Sequence, residues 1–182
     1  MRREGRNQSP QVLVTGRLWL GANGARSVGN SLVDLIDSAK QEIIIVAYRL
    51  TRAVPELTRS LESALSRGCL IRVVRDASGE AVALEDKYLT RLLNDFETFS
   101  LWDFRDISGP VNCALHAKMV VADRARAIVG SANFSRNGMV ANHEIAVQLE
   151  GPEVGSLAAA CDKLIINGQR EGVLTQRMKD GN

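Results

Sequence analysis

Hydrophobic positions in the first half of the chain alternate between helical and strand spacing. Apolar residues between positions 28 and 39 recur every three or four residues, which is typical of the buried face of a helix. The continuous β-branched run Glu42–Ala47 follows, and such a run is typical of a strand buried on both faces. Pro55 begins a second amphipathic helix, Gly68 ends it, and positions 70–74 are predicted to form the next strand.

The same alternation continues through the second half, with one change of character. Positions 89–96 carry a third helical stripe, and the polar segment 103–112 is predicted to be a loop because Gly and Pro interrupt it. Two strand-like runs are joined by only positions 122–126, which is too short for a crossover helix, so they are predicted to form an antiparallel hairpin. The predicted strands of this half lie at 98–102, 115–121, 127–131 and 143–149, and an apolar stripe at 154–165 predicts a last helix.

Strands and helices that alternate in this way predict an α/β fold: a mixed, largely parallel β-sheet sandwiched between helices, in a single domain. We expect a flexible basic N-terminus at 1–10, the domain at 11–170 and a C-terminal tail at 171–182. With 182 residues, 45% hydrophobic and 24% charged, the composition is that of one globular domain and excludes a disordered or fibrous protein.

The cysteine spacing, the net charge and the hydropathy limit further the classes of protein to which the chain can belong. The three cysteines are widely spaced and form no C-x-x-C pair, which argues against a disulfide framework or a zinc site. A net charge of +2 is too small to identify a partner. We find no signal sequence and no apolar stretch long enough to span a membrane, so we expect a soluble, cytoplasmic protein.

The predicted hairpin carries the chemistry-bearing residues. His116 and Lys118 are two apart, so on a strand they share one face, and Ser131 and Asn133 share a face of the return strand in the same way. A buried structural histidine is the usual alternative for a single histidine. Four polar groups on one hairpin favour a site instead.

These residues also follow a pattern with fixed intervals. The pattern H-x-K-x4-D-x6-G-S-x-N resembles the HKD motif of the phospholipase D superfamily, and it is met by His116, Lys118, Asp123, Gly130, Ser131 and Asn133. Glu144 falls where small single-motif nucleases of this superfamily, the Nuc-type endonucleases, place an acidic residue. The resemblance implies a phospholipase D-like fold.

The resemblance also implies hydrolysis of a phosphodiester without metal or other cofactor. One histidine forms a phosphohistidine intermediate and a second protonates the departing alkoxide. Lys118 and Asn133 are expected to hold the non-bridging oxygens with Ser131 as a further donor, and Glu144 to accept a hydrogen bond from the imidazole. Asp123 and Gly130 are expected to be structural, with Asp123 pairing with Arg126 or capping turn amides.

One motif supplies only one catalytic histidine. By resemblance to the Nuc-type endonucleases we expect a homodimer with the active site at the two-fold interface. The alternative is that His143 supplies the second imidazole within one chain, but on a strand His143 points away from Glu144.

Basic and aromatic residues near the predicted strand ends suggest a nucleic-acid groove. The candidate phosphate contacts are Arg49, Arg52, Arg75 and Arg136, and solvated, ion-paired arginines are the alternative for each. The few aromatic side chains that can stack on bases are Tyr48, Trp102 and Phe134, and core packing is the alternative for each.

The leading hypothesis is therefore a nuclease that acts on DNA or RNA. Two alternatives stay open: a phospholipase or phosphatidyl transferase that acts on lipid, and a catalytically idle nucleic-acid-binding module of a larger assembly. The sequence does not choose between DNA and RNA, single and double strands, or roles in degradation, restriction and phage defence.

Overall fold

The computed structural model of the chain describes residues 9–19, 21, 24–51, 54–78, 82–106 and 113–180, with the backbone alone at 82–86. Its strands are β1 (Gln11–Thr15), β2 (Arg26–Ser27), β3 (Glu42–Ala47), β4 (Leu70–Asp76), β5 (Phe99–Phe104), β6 (Lys118–Ala122), β7 (Arg126–Gly130), β8 (Glu144–Glu150) and β9 (Leu174–Gln176). Its α-helices are α1 (Val28–Asp37), α2 (Pro55–Ser66), α3 (Val82–Asp95) and α4 (Pro152–Arg170), and a π-helical turn spans Asn137–Ala141.

All of these strands join one sheet in the order β2-β1-β8-β7-β6-β3-β4-β5-β9. The mixed sheet predicted from the sequence is confirmed, but it is not largely parallel. In the described part of the chain only β1 with β2, β3 with β4 and β4 with β5 pair in parallel. The other pairings are antiparallel; between β6 and β7 the reason is the short turn, which leaves no room for a crossover helix.

Helices cover both faces of the sheet, as predicted. On one face, α1, α2 and α3 bury Leu32, Leu61 and Leu92 against strand residues such as Ile43 and Ile45. On the other face, α4 alone packs against the sheet: its residues Val154, Ala158 and Cys161 lie with Ile44 and Val46 in a second cluster. Residues that alternate along β3 therefore belong to two different cores, which explains why that strand is apolar throughout.

The structure differs from the predicted segments at several ends. β9 lies within the predicted tail 171–182 and pairs with β5, so the sheet extends beyond residue 170. β5 continues to Phe104, inside the predicted loop, and β6 begins at Lys118 and not at 115. At the N-terminus β1 begins at Gln11, while residues 1–8 of the predicted flexible segment lie outside the described residues. No helix in the described ranges is both long and apolar enough to cross a membrane.

One end of the sheet gathers the candidate site. β3 ends opposite the start of β6, where Ala47 is paired with Lys118. β7 ends beside the start of β8, where Gly130 is paired with Ala146. The segments that leave or enter these four strands therefore meet at a single edge of the molecule.

Candidate active site

His116 and Lys118 are in direct contact. Lys118 Nζ lies 2.9 Å from His116 Nδ1 and donates a hydrogen bond to the His116 carbonyl oxygen at 2.6 Å. The two side chains meet although His116 precedes β6, so the shared strand face that the alternation argument assumed is wrong in detail. A protonated Lys118 requires His116 Nδ1 to accept, which leaves the imidazole proton on Nε2.

The Lys118 ammonium is held in a poorly solvated position. The residue is 7% exposed, and this burial lowers the pKa of Lys118 from its ordinary value, although the negative charge of nearby Glu144 opposes the shift. Burial destabilises the charged form of Lys118, and a bound anion would stabilise that form again. The environment therefore suits a cation that meets a phosphate.

Tyr48 forms one wall of the site. Its ring centroid lies 4.7 Å from that of His116, with the planes tilted by 53°. Lys118 Nζ lies 5.1 Å from the same Tyr48 centroid, within the range of a cation–π interaction. The sequence predicted Tyr48 only as a base-stacking residue, while Trp102 and Phe134 are buried in the core, at 7% and 3% exposure.

Ser131 and Glu144 are joined on the neighbouring strands. Ser131 Oγ donates to Glu144 Oε2 at 2.5 Å, and Asn142 Nδ2 donates to Glu144 Oε1 at 3.0 Å. The hydrogen bond expected from an imidazole to Glu144 is not among the contacts of the described residues. Sequence reasoning missed Asn142, whose only signal was its position two residues before Glu144.

Asn133 presents an unsatisfied acceptor. Its Oδ1 is buried and has no hydrogen-bond partner among the described residues. The π-helical turn fixes the backbone of Asn133, because a Cβ on Gly138 would lie 2.8 Å from the Asn133 nitrogen. Gly138 was not recognised from the sequence, since a close approach of two backbone segments leaves no local pattern.

Two motif residues organise the backbone around the site. Gly130 lets β7 approach β8 closely, since a Cβ there would lie 2.6 Å from Ala146 Cα. Asp123 adopts a left-handed φ of 52° at the β6–β7 turn. Its carboxylate accepts hydrogen bonds from the backbone N–H groups of residues 40, 41 and 42 at 2.9, 2.8 and 3.0 Å.

The four candidate arginines differ in their exposure and contacts. Arg49 and Arg136 are exposed, and the Arg49 guanidinium carbon lies 5.7 Å from the Tyr48 ring centroid. Arg75 does not fit the predicted groove: it lies within β4, is 2% exposed and forms an ion pair with Asp103 at 2.7 Å. Arg52 lies outside the described residues.

His143, the alternative second imidazole, is exposed and precedes β8. Its ring centroid lies 5.8 Å from that of Trp19, outside the His116 cluster of contacts. Among the residues whose positions are described, no three His, Cys, Asp or Glu side chains group closely enough to hold a metal ion.

The chain is similar to known proteins in its sequence and in its fold. The family model described as "Cardiolipin synthase, PLD-like domain" matches residues 32–164. A curated relative, the DISARM protein DrmC from Bacillus paralicheniformis, is 27% identical over 144 residues, which is 78% of this chain and 57% of that protein. This chain thus spans little more than half the length of that relative.

Three solved structures share the fold. A phospholipase D family member, Nuc from Salmonella typhimurium, matches with a TM-score of 0.66 and 23% identity over 93% of this chain and 99% of its own. NucT from Helicobacter pylori matches with 0.63 and 20%, over 76% and 86% of the two chains. The phosphatidylserine synthase of Haemophilus influenzae matches with 0.65 and 15%, over 93% and 40%. At these identities the likeness concerns the fold.

Proposed function

Because the chain belongs to the phospholipase D superfamily as a PLD-like domain, we propose that it is a metal-independent nuclease that forms a phosphohistidine at a site shared by two subunits. The contact between Lys118 Nζ and His116 carries the proposal. It joins the nucleophile of the expected reaction to a desolvated cation, and such cations stabilise the charge that builds on a transferring phosphoryl group.

In this reaction His116 Nε2 of one subunit attacks phosphorus, a P–N bond forms and the P–O bond to the leaving alkoxide breaks. The alkoxide takes its proton from the imidazolium of the second His116. Water then attacks the phosphohistidine and gives a proton back to that second imidazole, while the P–N bond breaks. Lys118 and Asn133 bind the non-bridging oxygens, and Ser131 keeps Glu144 in place through their hydrogen bond.

The reaction needs two imidazoles in different protonation states. With a protonated Lys118, the Lys118 contact favours the neutral Nε2–H tautomer of His116, which has neither the free Nε2 lone pair of the nucleophile nor the second proton of the acid, so the contact must open or reverse its direction before His116 acts in either role.

An uncovered apolar patch supports a dimer. On the face of the sheet that α4 covers, Val12 and Ile145 lie beyond the helix and are 48% and 50% exposed. Val147 lies between them, directly opposite Val12. Ile145 follows Glu144 directly in β8, and because successive strand residues point to opposite faces, this patch lies on the face of the sheet opposite the Glu144 side chain. Exposed apolar groups that adjoin one another are typical of interaction surfaces.

Arg49 and Arg136 support a nucleic-acid substrate, because both are exposed at the same end of the sheet as Tyr48 and Asn133. The family description and the fold shared with a phosphatidylserine synthase keep lipid as the second candidate substrate. We also propose that the protein is cytoplasmic.

The test is a substrate panel in EDTA: single- and double-stranded DNA, RNA, a chromogenic phosphodiester and anionic phospholipid vesicles, each with wild-type protein and His116→Asn. We expect the wild type to cleave nucleic acid and the chromogenic diester, and the variant to cleave neither while it still binds nucleic acid. Cleavage of vesicles alone would favour the lipid function. Nucleic-acid binding with no turnover of any substrate would favour the idle module.

A further inference from the structure

A cavity of about 390 Å³ opens beside the candidate site. It lies between the N-terminal parts of α1 and α2, the end of β1 and the π-helical turn, and its apolar lining includes Leu32, Val33, Leu57 and Met139. Cavities of roughly 300–1,000 Å³ with a mostly apolar lining and a few polar groups are typical of small-molecule sites. Neither the proposed mechanism nor the sequence motif uses this cavity.

The cavity is contiguous with the catalytic residues through the sheet. Thr15, which lines the cavity, is paired directly with Glu144 across β1 and β8. Directly paired residues of antiparallel strands are about 4.5–5.5 Å apart at their Cα atoms. Met139 lies on the turn that connects Asn133 to Glu144. The cavity therefore adjoins the backbone that carries Glu144 and the turn that follows Asn133, and a substrate unit next to the phosphate is the one that would enter it.

One polar atom in the cavity lacks a partner. Thr15 is 2% exposed, and its Oγ1 has no hydrogen-bond partner among the described residues. A buried hydroxyl without a partner destabilises the free protein, because it has lost its hydrogen bonds to water and gained none in exchange. The Thr15 carbonyl oxygen, in contrast, accepts a hydrogen bond from Trp19 Nε1. The hydroxyl is covered in the free protein, so a ligand that fills the apolar space would form a hydrogen bond to it only after a small movement of the cavity wall.

The lining also carries negative charge. Asp34 and Glu56 contribute to the cavity, paired with Arg26 at 2.5 Å and Arg59 at 3.3 Å. Carboxylates repel a phosphate, but they accept hydrogen bonds from amino groups. An acyl chain would leave the Thr15 hydroxyl unsatisfied, whereas a nucleobase offers a flat apolar face together with donors and acceptors at its edge.

We propose that this cavity binds an unpaired nucleobase next to the scissile phosphate. The inference rests on the proposed nuclease function and deepens it. A base that enters the cavity must leave the base stack, so the enzyme should act on single strands or at unpaired positions in preference to duplex.

The experiment compares short single-stranded oligonucleotides that contain one cleavable phosphodiester, with all bases present or with an abasic unit on its 5′ or 3′ side. We expect loss of one of the two flanking bases to lower kcat/KM about tenfold for the wild type, which corresponds to about 1.4 kcal/mol of transition-state stabilisation. In Thr15→Val and in Val33→Phe, which narrows the cavity, the ratio of intact to abasic kcat/KM should fall to about three or less.

Thr175→Val is the matched control, because it makes the same chemical change on an exposed residue of β9 at the far edge of the sheet. It should keep the wild-type ratio. Thermal melting verifies the fold, and Thr15→Val should melt no lower than the wild type because it removes an unsatisfied buried hydroxyl.

Four results would overturn the inference. Equal cleavage of intact and abasic strands by the wild type, or full discrimination in Val33→Phe, would refute the base site and leave the nuclease function intact. Cleavage of anionic phospholipid vesicles that is lost in Val33→Phe would assign the cavity to an acyl chain. Failure to cleave any strand would refute the proposed function, and the inference with it.

Discussion

Replacement of Asp123 by Ala should destabilise the fold and leave the chemistry intact. The carboxylate joins the β6–β7 turn to three consecutive backbone N–H groups at the start of β3. The donors of residues 40 and 41 are exposed, so water replaces those hydrogen bonds and each loss costs about 0.5–1 kcal/mol, while the half-buried donor of Glu42 costs about 1.5 kcal/mol. We therefore expect the free energy of unfolding to fall by about 3 kcal/mol, and Tm by about 6–12 °C for a chain of this length.

Two variants sharpen this prediction. Asp123→Asn keeps Oδ1, which accepts from residues 41 and 42, but turns an amide N–H toward the N–H of Lys40. It should lose about half as much stability as Asp123→Ala. Asp37→Ala removes an exposed aspartate from the end of α1 and should change the stability by less than about 0.5 kcal/mol.

The effect should also depend on pH. Burial alone would raise the pKa of Asp123, but the hydrogen bonds from the N–H groups of Glu42, Lys40 and Gln41 and the charge of Arg126 outweigh it and lower the pKa below 3.8. A group with a lowered pKa contributes stability above its unfolded pKa and loses it as the pH falls through the folded pKa. The difference between wild type and Asp123→Ala should therefore be full at pH 7 and shrink below about pH 4.

Urea unfolding at several pH values measures the loss, and turnover per folded molecule measures the chemistry. A variant that melts like the wild type would contradict the hydrogen-bond argument. A variant that melts normally but has lost all turnover would show that Asp123 acts in catalysis.

Four further results are expected. Cleavage should survive EDTA, because Lys118 supplies the positive charge, and loss in chelator with recovery in magnesium would contradict this. Wild-type protein quenched in alkali during turnover should carry acid-labile phosphate on His116, and its absence would exclude the covalent step. When wild-type and His116→Asn subunits are refolded together, activity should follow the square of the wild-type fraction; a linear dependence, or full activity in a monomer, would reject the shared site and favour His143. Gly130→Ala should lower Tm and activity, because the new Cβ would lie 2.5 Å from the Ile145 carbonyl oxygen. The control Gly155→Ala places its Cβ in open space on α4 and should keep or raise Tm. Equal melting of the two variants would contradict the close approach of β7 and β8.

The sequence predicted the helices and the central strands because their apolar periods are long and regular. β9 has a single buried residue, Leu174, and its pairing with β5 comes from the packing of the whole sheet. A strand with a single buried residue shows no periodic pattern of apolar positions from which it could be predicted.

The motif spacing predicted which side chains form the site better than it predicted their contacts. His116 and Lys118 meet as expected, yet the N–H groups that Asp123 binds lie about 80 positions earlier in the chain. The burial of Arg75 depends on Asp103 of the neighbouring strand, a pairing that follows from sheet register. Such long-range partners are set by topology and not by local sequence.

The position of β8 in the sheet has a consequence for biosynthesis. β8 lies between β1 and β7, so β1 can pair with β2 early but gains its other neighbour only when the chain has been synthesised as far as β8. Contacts of such high sequence separation form late, because the loop that they close is long. Glu144 opens β8 and Ser131 is bonded to it, so the site is completed at the same step as the sheet. A chain that ends before β8 lacks Glu144 and the strand that joins β1 to β7, so we expect the proposed activity to appear only after β8 has been synthesised and has entered the sheet.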